Sequence, residues 1–432
     1  MSFAAKVPFE KLRLDNGLTL ILHPDRRLPL ACVNLWYHVG AKDEPAGRSG
    51  FAHLFEHLMF MGTRRAPQGE FDRIMESGGG HNNATTSEDR TNYFASGPAS
   101  LLPTLLWLEA DRLQGLGEAM TQEKLDLQRD VVRNERRQSY ENEPYGPAEL
   151  EMNGLLYPAG HPYAIPVIGT HADLDAATVS DVREFFAANY VPNNLSLVVA
   201  GDFEREAVLR DVQRWFGSQP KGPAPVWRSA EPMRLKAPVF RELVDPNAEF
   251  ARTSLVWHSP ALFADGDAAC DVIAKILGDG LASRLQKRLM VDELLAQSVG
   301  AFQMSMQLGS QFRIDASAAE DDIPLARLEA AIDEELARLA ADGPTAEELE
   351  RVKVHAETEF TASLQRITER ADRLNAYDAA FGDPDGFERD LGRYRLVGAD
   401  EIRARAKDLF DPSARLIMHV LPGEDAAEGA TS

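Results

Sequence analysis

The chain is expected to be an α+β protein built as a duplicated unit, two related α/β-sandwich-like halves with mixed, mainly antiparallel sheets and covering helices. Three observations predict this. Its 432 residues exceed what one core comfortably serves. A stretch at 218–236 opens with SQPKGPAPVWRSAEP, rich in proline and without periodicity, and reads as a linker. The order of elements before it is repeated after it, by pattern rather than identity.

In the first half, KLRLDNGLTLIL (11–22) alternates around Asp-Asn-Gly and predicts a hairpin, because Asn-Gly tolerates positive φ. LACVNLWYHVG reads as a strand, and GRSGFAHLFEHLMFMG shifts to helical spacing. GEFDRIMESGGG is a helix stopped by glycines, and TNYFASG a short strand. SLLPTLLWLEADRL and TQEKLDLQRDVVRNERRQSYENE are helical, NNLSLVVAGDF is a buried strand, and REAVLRDVQRWFG is the helix after it. In the second half FRELVDPN and RTSLVWHSP are strands, and DAACDVIAKILGDG takes the place of the FAHLFEHLMFMG helix. Helices over 325–341 and from 345 to about 375 follow, and RLIMHVLPG answers NLSLVVAGD. The implied domains are 1–217 and 237–423, with a disordered tail at 424–432.

Composition excludes several classes. The formal net charge of -22 repels phosphate backbones, so nucleic acid is not an expected partner. No apolar run reaches the roughly 18 residues of a membrane span. The first residues lack a signal-peptide core, which predicts a cytoplasmic protein, or a periplasmic one if an export signal has been removed. Cys32 and Cys270 sit in apolar contexts and read as buried thiols, not a disulfide or a zinc pair.

The chemistry concentrates in FAHLFEHLMF (51–60). On a helix His53 and His57, four residues apart, aim two imidazoles at one point, and Glu56 lies on nearly the same face. His-x-x-Glu-His is the inverted zinc-peptidase arrangement, in which the glutamate reaches a water without being a ligand. The bland alternative is three polar groups satisfied by neighbours, but a buried unpaired glutamate costs several kcal/mol on the usual scale. Zinc of this class needs a third protein ligand. Glu135 follows Leu127 and Val131 at spacing four, with Val132 beside them, and so interrupts an apolar stripe. It could be that ligand or the partner of a nearby arginine. Gly78, Gly79 and Gly80 read as a helix stop, no phosphate-loop lysine follows them, and His81 reads as a surface residue.

HLFEH (53–57), SGGGHNNATTSEDRTNYF (77–94) and QRDVVRNERR (128–137) together resemble the pitrilysin, or insulinase-type, family of zinc peptidases, which includes mitochondrial processing peptidase. The resemblance covers the first half by motif and the second by architecture. It implies two clamshell halves around a chamber that admits unfolded peptides. It implies one Zn²⁺ per chain on His53, His57 and Glu135, Glu56 as general base, and Asn83 with Ala84 along an extended peptide substrate. A glutamate common beside the family's ligands is Gln128 here, which can hydrogen-bond a histidine but supplies no charge. The family's arginine and tyrosine of the second half, which bind substrate and stabilise the oxyanion, align with Met290 and Gln297 once Ser283-Arg284-Leu285 is matched. That departure implies a heterodimer in which a homologous non-zinc subunit supplies the pair, with a homodimer as the other assembly. The alternative from another class is a non-catalytic structural or core subunit derived from such peptidases.

Overall fold

The computed structural model describes residues 6–226, 228, 229 and 231–423. The tail expected at 424–432 and two positions of the linker lie outside them. The strands are β1 Glu10–Arg13, β2 Thr19–Pro24, β3 Leu30–Tyr37, β4 His81–Thr86, β5 Thr91–Pro98, β6 Leu195–Gly201, β7 Val239–Asp245, β8 Arg252–Ser259, β9 Ala296–Met304, β10 Ser310–Ala318 and β11 Leu416–Pro422. The helices are α1 Phe51–Leu58, α2 Glu70–Ser77, α3 Leu102–Ala119, α4 Gln122–Arg136, α5 Gly146–Leu156, α6 His171–Ala176 and α7 Val179–Asn189. They continue with α8 Arg205–Trp215, α9 Asp267–Gly278, α10 Leu325–Asp342, α11 Ala346–Ser363, α12 Ile367–Phe381, α13 Phe387–Leu396 and α14 Ala399–Leu409.

The first sheet has the order β1-β2-β6-β3-β5-β4 and the second β7-β11-β8-β10-β9. In each, one late strand enters the middle, parallel to one neighbour and antiparallel to the other: β6 between β2 and β3, β11 between β7 and β8. The remaining pairs are antiparallel. The internal repeat expected from the order of elements is therefore present in the topology, and β1 is an addition to the first copy. The β1–β2 hairpin forms, with Gly17 at φ +91°. Asn16 does not merely turn the chain: its buried amide donates to the carbonyls of Phe216 and Gln219.

The two compact units are not consecutive stretches. The first comprises Met1–Asn134, Ile165–Trp227 and Phe360–Arg389, and the second Glu135–Ala164, Arg228–Glu359 and Asp390–Ser432. The 218–236 linker separates the sheets, yet each unit also takes one helix from the other half of the sequence. A reason lies in burial. Every residue of β6 and all but the first of β3 are buried, so this sheet needs cover on both faces. On one face α1, α3 and α7 pack through Tyr37, Tyr93, Phe55 and Tyr190. On the other lies α12, which packs on β2, β3 and β6. In the second unit α9, α10 and α14 fill one face of the sheet. The other face is packed by Ala148, Met152 and Leu156 of α5 against Val256, Met418 and Val420.

The joint between α12 and the first sheet is polar as well as apolar. One oxygen of Asp372 accepts from Asn34 Nδ2, Trp36 Nε1 and Asn92 Nδ2 at 3.2, 2.8 and 2.9 Å. Asn375 donates to the backbone carbonyl and side chain of Asn34. The single helix expected from 345 to about 375 is thus two helices, broken between Ser363 and Ile367. No glycine or proline marks the break. Arg370 stabilises it by donating to the freed carbonyls of Leu364 and Gln365.

A second polar device positions α1. Its N-cap is Gly50 at φ +85°, a residue without a side chain to cap with. Glu44 supplies the cap instead, accepting from Gly50 N at 3.0 Å and Ala52 N at 2.8 Å. Burial outweighs these two donors and pushes the Glu44 carboxyl up to about 8.

Two outcomes follow for stability. Asp372→Ala leaves three donors without their acceptor and should cost about 3 kcal/mol by chemical denaturation, with Asp372→Asn costing less. Folded Glu44 holds its proton to about pH 8, whereas in the unfolded chain it titrates at the ordinary carboxylate value. Its contribution is full below the unfolded value and is lost as pH rises through 8. Melting temperature should therefore fall as pH rises from the ordinary carboxylate value to about 8, and fall less in Glu44→Gln.

Candidate metal centre

Helix α1 divides its residues cleanly. Phe51, Ala52, Leu54, Phe55 and Leu58 are buried, with Phe55 against Phe185 and Tyr190 at ring centroid distances of 4.8 and 5.3 Å. His53, Glu56 and His57 occupy the half-buried face. The two imidazole rings stand edge to face, centroids 4.8 Å apart. With Glu135 they offer three ligand atoms that all lie within 4.8 Å of one another. No other group of three or more potential ligands occurs among the described residues. Two neutral imidazole nitrogens and one carboxylate oxygen, converging from two helices, fit a divalent zinc-type ion with one position left open.

Glu135 reaches this point from the last turn of α4, a continuous helix that begins in the first unit. The chain then widens into a π-helical turn over Arg137–Glu141, closed by Arg136 Nε to Glu141 at 2.9 Å. Such turns often mark functional sites. The stripe that singled out Glu135 does not face the core, however. Leu127 and Val131 are 46% and 39% exposed, while Leu125 and Val132 are fully buried. Arg129 sets this orientation by donating to the carbonyls of Leu174 and Ala177. Spacing of four grouped the right residues on one face but did not say which way that face turned. Gln128 donates its amide to the Met61 thioether at 2.8 Å, a sulfur and not a histidine.

Strand β4 borders the site and is the edge of its sheet, paired only with β5. Its register sets Ala84 opposite Tyr93, on the α1 side, with Thr86 on the same side by alternation. Thr86 Oγ1 donates to Glu56 Oε2 at 2.6 Å. Asn83 alternates to the other face, exposed, with its Oδ1 accepting from Ala84 N. The sequence placed Asn83 and Ala84 at this edge but missed Thr86 and Glu44. The signal available for Thr86 was its two-residue offset from the buried Ala84. For Glu44 it was a capless glycine ahead of the helix. His81 is exposed, and the glycine run ends α2, with Gly79 at φ +71°.

The second unit repeats the frame without the chemistry. Helix α9 also starts from a left-handed glycine, Gly266 at φ +86°. Counting from the two N-caps sets Ala269, Val272 and Ile273 where α1 has His53, Glu56 and His57. All three are at most 1% exposed and belong to the core. Met290 packs partly buried against that core, and Gln297 is exposed on β9. Both cysteines are free and buried, and burial pushes each thiol up to about 12. No helix among the described residues is long and apolar enough to cross a membrane.

Comparison with known proteins agrees with this division. Residues 21–155 match the profile described as insulinase, peptidase family M16, and residues 176–354 that of the peptidase M16 inactive domain. The zinc protease PqqE of Helicobacter pylori is 28% identical over 376 residues, 84% of this chain and 81% of that protein. The crystal structure of a protease from Helicobacter pylori is similar with a TM-score of 0.89 at 26% identity, over 96% of this chain and all of that one. A peptidase M16 inactive domain from Pseudomonas fluorescens shares the fold, with a TM-score of 0.84 at 18% identity over 96% of this chain and 98% of that one. With two profiles of one family matched in chain order over most of its length, the chain belongs to the insulinase family of peptidases, peptidase family M16.

Proposed function

We propose that the chain is the metal-bearing subunit of a zinc-dependent endopeptidase acting on unfolded peptides. The observation that carries this reading is the convergence of His53, His57 and Glu135 within 4.8 Å, with Glu56 on the same helical face. These three residues would hold one Zn²⁺ per chain, and the ion when bound supplies Lewis-acid polarisation of the scissile carbonyl. Glu56 accepts a proton from the attacking water and returns it to the leaving amine. Thr86 donates to one Glu56 oxygen and so helps to orient the carboxylate. The unpaired edge of β4 can receive an extended peptide as an added strand, main chain to main chain, with Asn83 and Ala84 alongside it. Gln128 then acts on the site only through the packing of Met61.

The second unit has no ligand at the positions matching His53, Glu56 and His57, and Met290 and Gln297 stand where an arginine and a tyrosine were expected. A homologous non-zinc subunit supplying that pair across a shared chamber is the assembly this favours, ahead of a homodimer. The same absences favour a second reading, a core subunit without turnover. The retention of Glu56 beside a complete ligand set weighs against it, because a scaffold has no use for a general base.

Three outcomes test these statements. The purified chain should take up one equivalent of zinc by elemental analysis, His53→Ala and Glu135→Gln should lose it, and Glu56→Gln should keep it. Hydrolysis of a long unstructured peptide by the active assembly should fall by about 10²- to 10⁴-fold in Glu56→Gln. The zinc-loaded chain alone should cleave that peptide slowly or not at all, and a homologous subunit carrying the arginine and tyrosine should restore the rate. Full activity of the chain alone would remove the need for a partner. A zinc-loaded assembly that is inert with and without Glu56 would leave the core-subunit reading standing.

A further inference from the structure

Helix α6 is six residues long, holds both helices of the candidate metal centre and contributes no ligand to it. At its start Asp173 Oδ2 accepts from Ser49 N at 3.1 Å and from Ser49 Oγ. Ser49 stands at the entry to α1, four residues before His53. Asp173 N donates to Thr170 Oγ1, and Thr170 N donates to Ser49 Oγ, each at 3.1 Å. The backbones also meet here. A Cβ on Gly169, at φ +70°, would lie 2.4 Å from Ser49 O, so the approach requires a glycine. The far end of α6 is gripped from α4. Arg129 Nε donates to Leu174 O at 2.8 Å and Arg129 Nη2 to Ala177 O at 2.6 Å, engaging carbonyls at the end of α6. One turn further along α4, Arg133 meets the Asp175 carboxylate at 3.2 Å.

We infer that α6 is a brace that sets the distance between α1 and α4, with Asp173 and Arg129 as positioning residues for the candidate metal centre. The inference rests on the reading of His53, His57 and Glu135 as zinc ligands. Asp173 and Leu174 are consecutive, so the side chain that holds α1 and the carbonyl that holds α4 are joined by one peptide bond. From the Asp173 clamp it is one helical turn to His53. From Arg129 it is about 9 Å to Glu135 at the α-helical rise. Leu125 and Val132 bury one side of α4, but apolar burial is non-directional. The Arg129 bonds are directional, and α4 makes no extensive backbone contact with any other named element. Metal–ligand distances tolerate only about 0.2 Å. A change in the brace therefore reads out at the metal before it reads out in the fold.

The test is the zinc affinity of the full chain, by competition with a chelating dye, read beside the visible spectrum of the Co²⁺-loaded chain. Arg129→Met and Asp173→Ala should each weaken zinc binding by about 10- to 100-fold and alter the Co²⁺ bands. The double variant should lose little more than either alone, because one open clamp already frees the spacing. Asp173→Asn keeps an acceptor for Ser49 and should recover most of the affinity. Asp333→Ala strips the buried Arg415 of its carboxylate in the second unit. It should lower stability and leave zinc affinity unchanged. In the wild-type chain, zinc loading should slow amide hydrogen exchange over 171–177 more than in α10. Wild-type affinity in folded Arg129→Met, fully additive losses, or no slowing over 171–177 would each overturn the brace. The exchange measurement uses wild-type protein, so it decides the matter even where a variant fails to fold. A wild-type chain that takes up no zinc would overturn the brace and the metal reading together.

Discussion

The architecture turns on one constraint: the central strands of each sheet are buried on both faces, and a sheet of that kind must be covered twice. Strands β3 and β6 provide almost no surface for water. Their second cover is α12, drawn from the far half of the chain and anchored where Asp372 gathers three donors from the sheet. The second sheet takes its own second cover, α5, from the near half. This reciprocal loan of helices explains why buried polar residues such as Asn34 and Asn92 occur in strands that otherwise read as apolar. They are the sheet's half of a polar joint, and once satisfied they specify which helix may lie there.

The candidate metal centre inherits its geometry from that frame. Helix α1 is set by an apolar face on aromatic rings, by Glu44 at its start and by the edge strand beside it. None of these residues belongs to the candidate ligand set. The duplicate helix α9 shows what the same frame becomes without the chemistry. Alanine, valine and isoleucine occupy the corresponding face and join the core, while Asp267 and Asp271 turn to Gln303, Arg393 and Tyr394. One repeat thus kept a polar face open to a ligand and the other closed it, on an unchanged topology.

Much of this was legible locally. The positions of His53, Glu56 and His57 are a statement about one helical turn, and period alone reveals it. The repetition of element order between the two halves was visible too. Less legible was anything that depends on contact across the chain. The stripe containing Glu135 was visible, but its outward turn depends on Arg129 meeting carbonyls of another segment. The break before α12 carries no glycine or proline, because the arginine that stabilises it acts from the next helix. Thr86 looked like one of several threonines until the strand's register set it against Glu56. Periodicity could say that β6 is enclosed, but not what encloses it.

The exchanged helices also impose an order of events on biosynthesis. A chain emerges from the ribosome at about 5–20 residues per second and tends to fold domain by domain as it appears. Here β1 to β6 are complete long before Ile367–Phe381 exists. Through that interval one face of the first sheet, with Cys32, Asn34 and Trp36, has only solvent or a chaperone against it. The nascent first half is therefore a transient client, exposed in proportion to the time taken to translate the second. Synonymous codon choice between residues 202 and 366 becomes a lever on how much protein survives to the folded state, without altering a single side chain.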